Sequence, residues 1–203
     1  MKIYKDFEQK SEEWFNVRIG KWTASTFHIM LGNSETKKTN LIKKACEIIT
    51  GDSDEEKFSN RHTERGVELE AEARYSYAVK TGNIIENVAF IESDEFTGCS
   101  PDGLVGDDGV LEIKCPCNHI FLDLCVKGKA KLITAYKIQM QFNMMVANRK
   151  WCDFVAYNPN FKENSLLIIR AERDEEKIAE IEKCLKDCNE EVQNIIKTMN
   201  NKL

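Results

Sequence analysis

Histidine and proline are both scarce in this chain, with three residues of each among 203. The histidines stand alone at His28, His62 and His119, and none has the spacing of a metal-binding pair such as H-x3-H, so we interpret all three as structural. With few prolines, no internal repeat and no evident linker, we expect one domain over residues 1–203.

Long apolar runs are absent as well. No stretch approaches the roughly 20 apolar residues that a membrane helix requires. The N-terminus also lacks the basic start and apolar stretch of a secretion signal. We therefore expect a cytoplasmic protein without membrane contacts, in which the eight cysteines are reduced thiols and several serve as small core residues.

The chain has no excess of positive charge. Its 29 lysines and arginines against 34 acidic residues give a net charge of −5, which argues mildly against a nucleic-acid-binding protein. An active site that collects carboxylates for metal ions adds negative charge, however, and phosphate contacts need only a local basic surface. Net charge therefore does not exclude a nuclease.

Apolar periodicity predicts both helices and strands. The predicted helices are Glu12–Arg18, Thr23–Gly32, Lys37–Thr50, Thr63–Val79, Thr134–Ala147 and a C-terminal helix at about residues 174–200. The predicted strands are Ile84–Ile91, a short piece near Gly98, the pair Gly103–Val105 and Val110–Lys114, then Trp151–Tyr157 and Leu166–Ala171. This order favours an α+β fold, an α/β sandwich in which helices flank a central mixed β-sheet.

The most informative stretch runs from Asp102 to Lys114. A strong turn signal at residues 106–109 separates two short strands and predicts a hairpin. Strand alternation places Glu112 and Lys114 on one face, so the hairpin can bring two carboxylates and one ammonium together. Such a group suits phosphodiester hydrolysis with Mg²⁺ or Mn²⁺. The alternative is a surface hairpin with a weak Glu112–Lys114 ion pair.

These residues resemble the PD-(D/E)XK nucleases, and within them the phage lambda exonuclease or YqaJ-type viral recombinase exonucleases. The matching segments occur in consistent order from about Trp14 to about Pro159: Arg18, Thr23-Ala24-Ser25, Arg65-Gly66 with Glu70, Ser100-Pro101-Asp102-Gly103-Leu104, Leu111-Glu112-Ile113-Lys114-Cys115-Pro116, and Tyr136-Lys137-Ile138-Gln139-Met140-Gln141. The resemblance implies the restriction-endonuclease-like fold of that superfamily.

The resemblance also implies a metal site. Glu70, Asp102 and Glu112 would hold Mg²⁺, or Mn²⁺, with two ions expected, and the backbone carbonyl of Ile113 would contribute as a further ligand. Lys114 would be the catalytic residue that acts on the attacking water. For Glu70 the alternative is an ion pair with Arg74 at i,i+4 spacing.

A second implied site holds the 5′ phosphate of the digested strand. It would consist of Arg18, Ser25, Ser100 and Gln139. Arginine offers phosphate a planar fork of donors, and Ser25 is near the start of a predicted helix, where free N–H groups attract anions. The register leaves Gln141 as an alternative to Gln139. The plainer interpretation makes Arg18 a surface cation and either Thr23 or Ser25 a helix cap.

The function that the resemblance implies is Mg²⁺-dependent 5′-to-3′ digestion of linear double-stranded DNA to nucleoside 5′-monophosphates. The implied partners are DNA ends, two further copies in a ring-shaped homotrimer, and a single-strand annealing protein. The setting would be phage or prophage recombination in a bacterial host cytoplasm. The alternatives are another PD-(D/E)XK restriction or repair nuclease, and a non-catalytic DNA-binding module of this fold.

Overall fold

The computed structural model describes residues 1–32, 34–53 and 61–202. Its helices are α1 (Glu12–Arg18), α2 (Glu35–Thr50), α3 (Arg61–Thr81), α4 (Asn118–Lys127), α5 (Thr134–Ala147) and α6 (Glu175–Asn200), with 3-10 turns at Phe27–Ile29, Gly128–Lys131 and Pro159–Asn164. Its strands are β1 (Lys2–Tyr4), β2 (Trp22–Thr23), β3 (Ile85–Glu86), β4 (Phe90–Asp94), β5 (Thr97–Cys99), β6 (Gly103–Val105), β7 (Gly109–Lys114), β8 (Trp151–Tyr157) and β9 (Leu166–Glu172).

The strands form two mixed sheets. The five-stranded sheet has the order β3-β6-β7-β8-β9, in which only β7 and β8 are parallel neighbours. The four-stranded sheet has the order β1-β4-β5-β2, in which β2 and β5 run parallel. The segment Ser100–Asp102 leads from β5 in one sheet to β6 in the other. The residues between these two strands therefore lie where the sheets meet.

Helices cover both faces of the five-stranded sheet. Leu111 and Ile113 of β7 pack in a buried cluster with Ala73 and Tyr77 of α3. Val110 faces the other way, into a larger cluster that includes side chains of α5, α6 and the four-stranded sheet. Because side chains alternate along a strand, Glu112 lies on the α5 side of the sheet. The predicted α+β fold with helices around mixed sheet structure is confirmed, with two sheets in place of one.

The hairpin and the C-terminal helix are confirmed most closely. Strands β6 and β7 pair antiparallel with Gly103 opposite Leu111. Helix α6 begins after Asp174, whose side chain caps it by accepting from the N–H of Lys177. Its apolar stripe includes Ile178, Ile181, Leu185, Cys188 and Val192, all buried. Within the described residues, no helix is long and apolar enough to cross a membrane.

Two predicted elements are wrong. The segment Thr23–Gly32, predicted as a helix, instead contains the end of β2 and a 3-10 turn. Trp22 and Thr23 are a strand because they pair with β5, which is distant in the sequence. The strand predicted over Ile84–Ile91 is split between β3 and β4, which belong to different sheets. Strand β1 and helix α4 were not predicted. The side chains of residues 61–68, including the predicted helix position Val67, lie outside the described part of the structure.

Candidate active site

The predicted hairpin brings Asp102 beside the strand that carries Glu112 and Lys114. The backbone N–H of Asp102 donates to the carbonyl of Leu111 at 3.0 Å, which extends the β6–β7 pairing by one residue. The Asp102 carboxylate in turn accepts from the N–H of Ile113 at 2.5 Å. Asp102 is therefore fixed against β7 by both its backbone and its side chain.

Glu112 is a buried carboxylate with two partners. Only 1% of the surface of Glu112 is exposed to solvent. Oε1 accepts from the ammonium of Lys114, and Oε2 accepts from the amide of Asn143 on α5 at 3.0 Å. The Lys114 ammonium also lies 5.7 Å from the centre of the Tyr136 ring. The predicted shared face of Glu112 and Lys114 is present, and the pair is not a surface ion pair.

The charged side chains of Asp102, Glu112 and Lys114 lie close together, and this proximity shifts the pKa values of Asp102 and Lys114. Burial, and then the neighbouring carboxylate of Glu112, raise the pKa of Asp102 to about 8. Burial by itself lowers the pKa of Lys114, but the carboxylates of Glu112 and Asp102 outweigh it and raise that pKa above its usual value. Lys114 is therefore a cation in this arrangement.

Glu70 makes the ion pair that its sequence position predicts, and it also lines the cavity beside Asp102. Its Oε1 accepts from the guanidinium of Arg74 at 2.9 Å, the i,i+4 ion pair. Arg74 also donates to the backbone carbonyl of Asp102 at 3.0 Å. The second carboxylate oxygen of Glu70 lies 3.8 Å from the ammonium of Lys10. The hydrogen bond from Arg74 to Asp102 thus holds α3 against the hairpin, with Glu70 next to Asp102.

The four residues predicted to hold phosphate approach the same point from four parts of the fold. Arg18 at the end of α1 donates to the hydroxyl oxygens of Ser100 and Thr23, each at 3.3 Å, and its guanidinium lies 4.0 Å from the centre of the Trp14 ring. Ser25 follows β2, whose parallel pairing with β5 brings it towards Ser100. Gln139 is buried on α5.

One cavity of about 240 Å³ joins these groups. All nine residues predicted for the metal and phosphate sites line it: Arg18, Ser25, Glu70, Ser100, Asp102, Glu112, Ile113, Lys114 and Gln139. The same geometry distinguishes the two glutamines of the α5 motif, because Gln139 lines the cavity and Gln141 does not. Gln141 instead holds α5 to the chain after β9, donating to the Glu172 carbonyl and accepting from the Asp174 N–H, each at 2.9 Å.

Comparison with known proteins places this geometry in a family. The family model described as the YqaJ-like viral recombinase domain matches residues 13–150. The chain belongs to the YqaJ-like viral recombinase family. That assignment confirms the family predicted from the motifs.

Solved structures agree with the family. The chain is similar to an alkaline exonuclease from Laribacter hongkongensis, LHK-Exo, at 35% sequence identity, covering 95% of this chain and 97% of that one with a TM-score of 0.87. The complex of LHK-Exo with dAMP gives a TM-score of 0.88 at the same identity. A phage-related exonuclease from Haemophilus somnus 129PT, at 21% identity and a TM-score of 0.69 over 88% of this chain and 96% of that one, shares the fold. No curated protein sequence matches the chain.

The donor set of this family member fits a divalent metal ion. Carboxylate oxygens are the ligands that Mg²⁺ and Mn²⁺ prefer, and the raised pKa of Asp102 reflects burial and negative charge that a cation would offset. As they stand, no three His, Cys, Asp or Glu side chains in the described residues are grouped closely enough to hold an ion. Glu70 and Glu112 are instead turned towards Arg74 and Lys114. Metal binding therefore requires these carboxylates to exchange a cationic side chain for the ion.

Sequence reasoning missed several residues at the cavity. Lys10 lines the cavity, and Asn143 contacts Glu112 without having been singled out. Trp14 was identified only as the start of the matching segments, yet its indole N–H donates to the Ser100 hydroxyl at 2.8 Å. A polar residue four positions after Gln139 on an otherwise apolar helix face was the available signal for Asn143. No comparable signal marks Lys10.

Proposed function

We propose that this YqaJ-family protein digests linear double-stranded DNA from a 5′ end and releases nucleoside 5′-monophosphates, using Mg²⁺ or Mn²⁺, with two ions in each site. As a member of this family the chain is a DNA exonuclease of the recombination type. The direction, the products and the metal are the parts that we add.

One observation supports the direction and the product together. The Arg18 side of the cavity and the Asp102 side are walls of the same 240 Å³ space. A 5′ phosphate held by Arg18, Ser25, Ser100 and Gln139 would therefore bring the next phosphodiester to the carboxylates. Cleavage there releases one nucleotide. LHK-Exo was solved with dAMP, a nucleotide of the proposed product class.

Different residues would have different roles in the reaction. Glu70, Asp102, Glu112 and the carbonyl of Ile113 would hold the metal. Bound there, a divalent ion polarises the phosphate and lowers the pKa of water. Lys114 positions the attacking water and offsets the growing negative charge of the phosphate oxygens. Arg18 fixes the strand end with paired donors.

Assembly and biological setting follow from the family resemblance. We propose a ring-shaped homotrimer around DNA, working with a single-strand annealing protein in phage or prophage recombination, in the host cytoplasm.

Digestion of labelled DNA tests the proposal. The substrates are a linear duplex with 5′ phosphates, the same duplex with 5′ hydroxyls, and a covalently closed circle, each with and without Mg²⁺. We expect mononucleotides from the phosphorylated linear duplex, only with metal, and an intact circle. Cutting of the circle would favour a restriction or repair endonuclease of the same fold, and binding without cutting would favour a non-catalytic module.

A further inference from the structure

Lys10 has an unusual backbone conformation beside the cavity. Its φ is 72°, in the left-handed region, where a side chain crowds the backbone and glycine is the usual residue. In the described residues only Asn148 and Lys162 share this feature among non-glycine positions. A strained residue kept near a functional site is a reason to ask what its side chain does there.

The residues on either side hold this bend in place. The amide of Gln9 donates to the carbonyls of Val88 at 3.1 Å and Pro101 at 2.9 Å, which ties the bend to the residue before Asp102. On the other side, the N–H of Ser11 donates to the carbonyl of Glu8 at 3.3 Å, and the Ser11 hydroxyl caps α1. The surrounding contacts therefore fix the direction in which Lys10 leaves the backbone.

That direction leads into the active-site cavity. Lys10 lines it together with Arg18 and the carboxylates, and its ammonium lies 3.8 Å from Oε2 of Glu70. The Lys10 side chain is 45% exposed, so this ion pair is weak and easily exchanged. The other oxygen of Glu70 is already held by Arg74 at 2.9 Å. Lys10 is thus a weakly held cation next to Glu70, a residue proposed to bind metal.

We propose that Lys10 is a DNA-binding residue of this active site, an inference that rests on the proposed function. With the cavity empty, its ammonium neutralises Glu70. With metal and DNA present, Glu70 turns to the ion and Lys10 turns to a backbone phosphate of the strand whose 5′ end the cavity holds. A lysine suits this exchange because its ammonium is a flexible point charge with three donors.

The test is equilibrium binding of a 5′-phosphorylated duplex with Mg²⁺ across about 50 to 200 mM KCl, in a Lys114→Ala background that keeps the DNA intact. Lys10→Ala and Lys10→Gly are compared with Lys5→Ala. Lys5 is the matched control, because it belongs to the same N-terminal segment and pairs with Glu86 instead of lining the cavity.

Both Lys10 variants should weaken binding roughly twofold to fivefold and reduce the slope of log affinity against log salt by about 0.9, the effect of one lost phosphate contact. Lys5→Ala should change neither. Only Lys10→Gly should also raise the melting temperature, because glycine relieves the strained backbone. The melting temperature thereby distinguishes the effect of a less strained backbone from the effect of losing the Lys10 charge.

An unchanged affinity and salt slope in both Lys10 variants would overturn the proposal. So would a change confined to Mn²⁺ affinity, which would mean that Lys10 acts on Glu70 alone. Failure of the proposed function has a different signature, since it would show as no metal-dependent digestion by the unaltered protein.

Discussion

The amide of Asn143 donates to Oε2 of Glu112 at 3.0 Å, and neither residue has appreciable contact with solvent. Since Oε1 of Glu112 is held by Lys114, the carboxylate is fixed from both sides. The carbonyl oxygen of the Asn143 amide has no hydrogen-bond partner within the described structure. The hydrogen bond to Glu112 is therefore the polar contact that the buried Asn143 side chain makes.

Asn143→Ala should impair the metal site without unfolding the protein. Loss of the donor leaves Glu112 held by Lys114 alone, and removing such a partner of a metal-binding side chain typically costs about 10- to 100-fold in metal affinity or activity. Calorimetric titration with Mn²⁺ measures the first, and digestion rates the second.

Gln141→Ala is the matched control for Asn143. Gln141 is a buried amide on the same helix, but its partners are the backbone of Glu172 and Asp174. This variant should lower the melting temperature and keep the Mn²⁺ affinity. If Asn143→Ala retains normal Mn²⁺ affinity, Asn143 does not position Glu112.

Asp102→Ala and Glu112→Ala should each lose Mn²⁺ binding and hydrolysis together. Each would remove a hard oxygen ligand from the proposed metal site. Asp107→Ala is the control, because Asp107 is an exposed carboxylate on the turn of the same hairpin. Unchanged Mn²⁺ affinity in both site variants would place the ions elsewhere.

Short-range sequence patterns predicted the elements that depend on neighbouring residues, which are the β6–β7 hairpin and helix α6. The turn at residues 106–109 defined the hairpin, and the apolar stripe from Ile178 to Val192 defined α6. Strand β2 has two residues and is a strand only because Trp22 pairs with Thr97, 75 positions away. Helix α4 buries Phe121 and Leu124 but exposes Ile120, Leu122 and Val126, so its amphipathic pattern is blurred.

Gly98→Ala should destabilise the fold near the site. An added Cβ would lie 2.2 Å from Cζ of the buried Phe90 ring and 2.9 Å from the carbonyl oxygen of Ile91, and neither can move aside easily. Overpacking of this kind costs roughly 1–3 kcal/mol in the free energy of unfolding. At Gly32 the nearest atom would be the Ile29 oxygen at 3.4 Å, so Gly32→Ala should be nearly neutral. Chemical denaturation of both variants checks this, and equal midpoints would contradict it.

Cavity residues in recognisable motifs could be predicted from the sequence, whereas cavity residues outside such motifs could not. Asp102, Glu112 and Lys114 were found because hairpin alternation and carboxylate chemistry point to the same group. Lys10 reaches the cavity only because Gln9 binds Val88 and Pro101, contacts that span 79 and 92 positions. Such long-range contacts leave no periodic trace in the sequence.

Arg18→Ala should affect DNA ends selectively. If the guanidinium holds the terminal phosphate, the loss should be about 10- to 150-fold on 5′-phosphorylated ends, the value of a charged hydrogen bond, and small on 5′-hydroxyl ends. Initial rates on the two substrates measure the difference. Equal losses on both would remove Arg18 from the phosphate pocket and leave the metal site standing.

The most direct test of the active site is single-turnover digestion of a 5′-phosphorylated linear duplex by the Lys114→Ala variant in Mg²⁺, with DNA binding measured in parallel. Lys114 is not a metal ligand in this account, yet its ammonium binds Glu112 within the cavity. We predict that hydrolysis is abolished while DNA binding and the melting temperature stay close to those of the unaltered protein. Turnover near the normal rate in Lys114→Ala would contradict the assignment of this cavity as the catalytic centre.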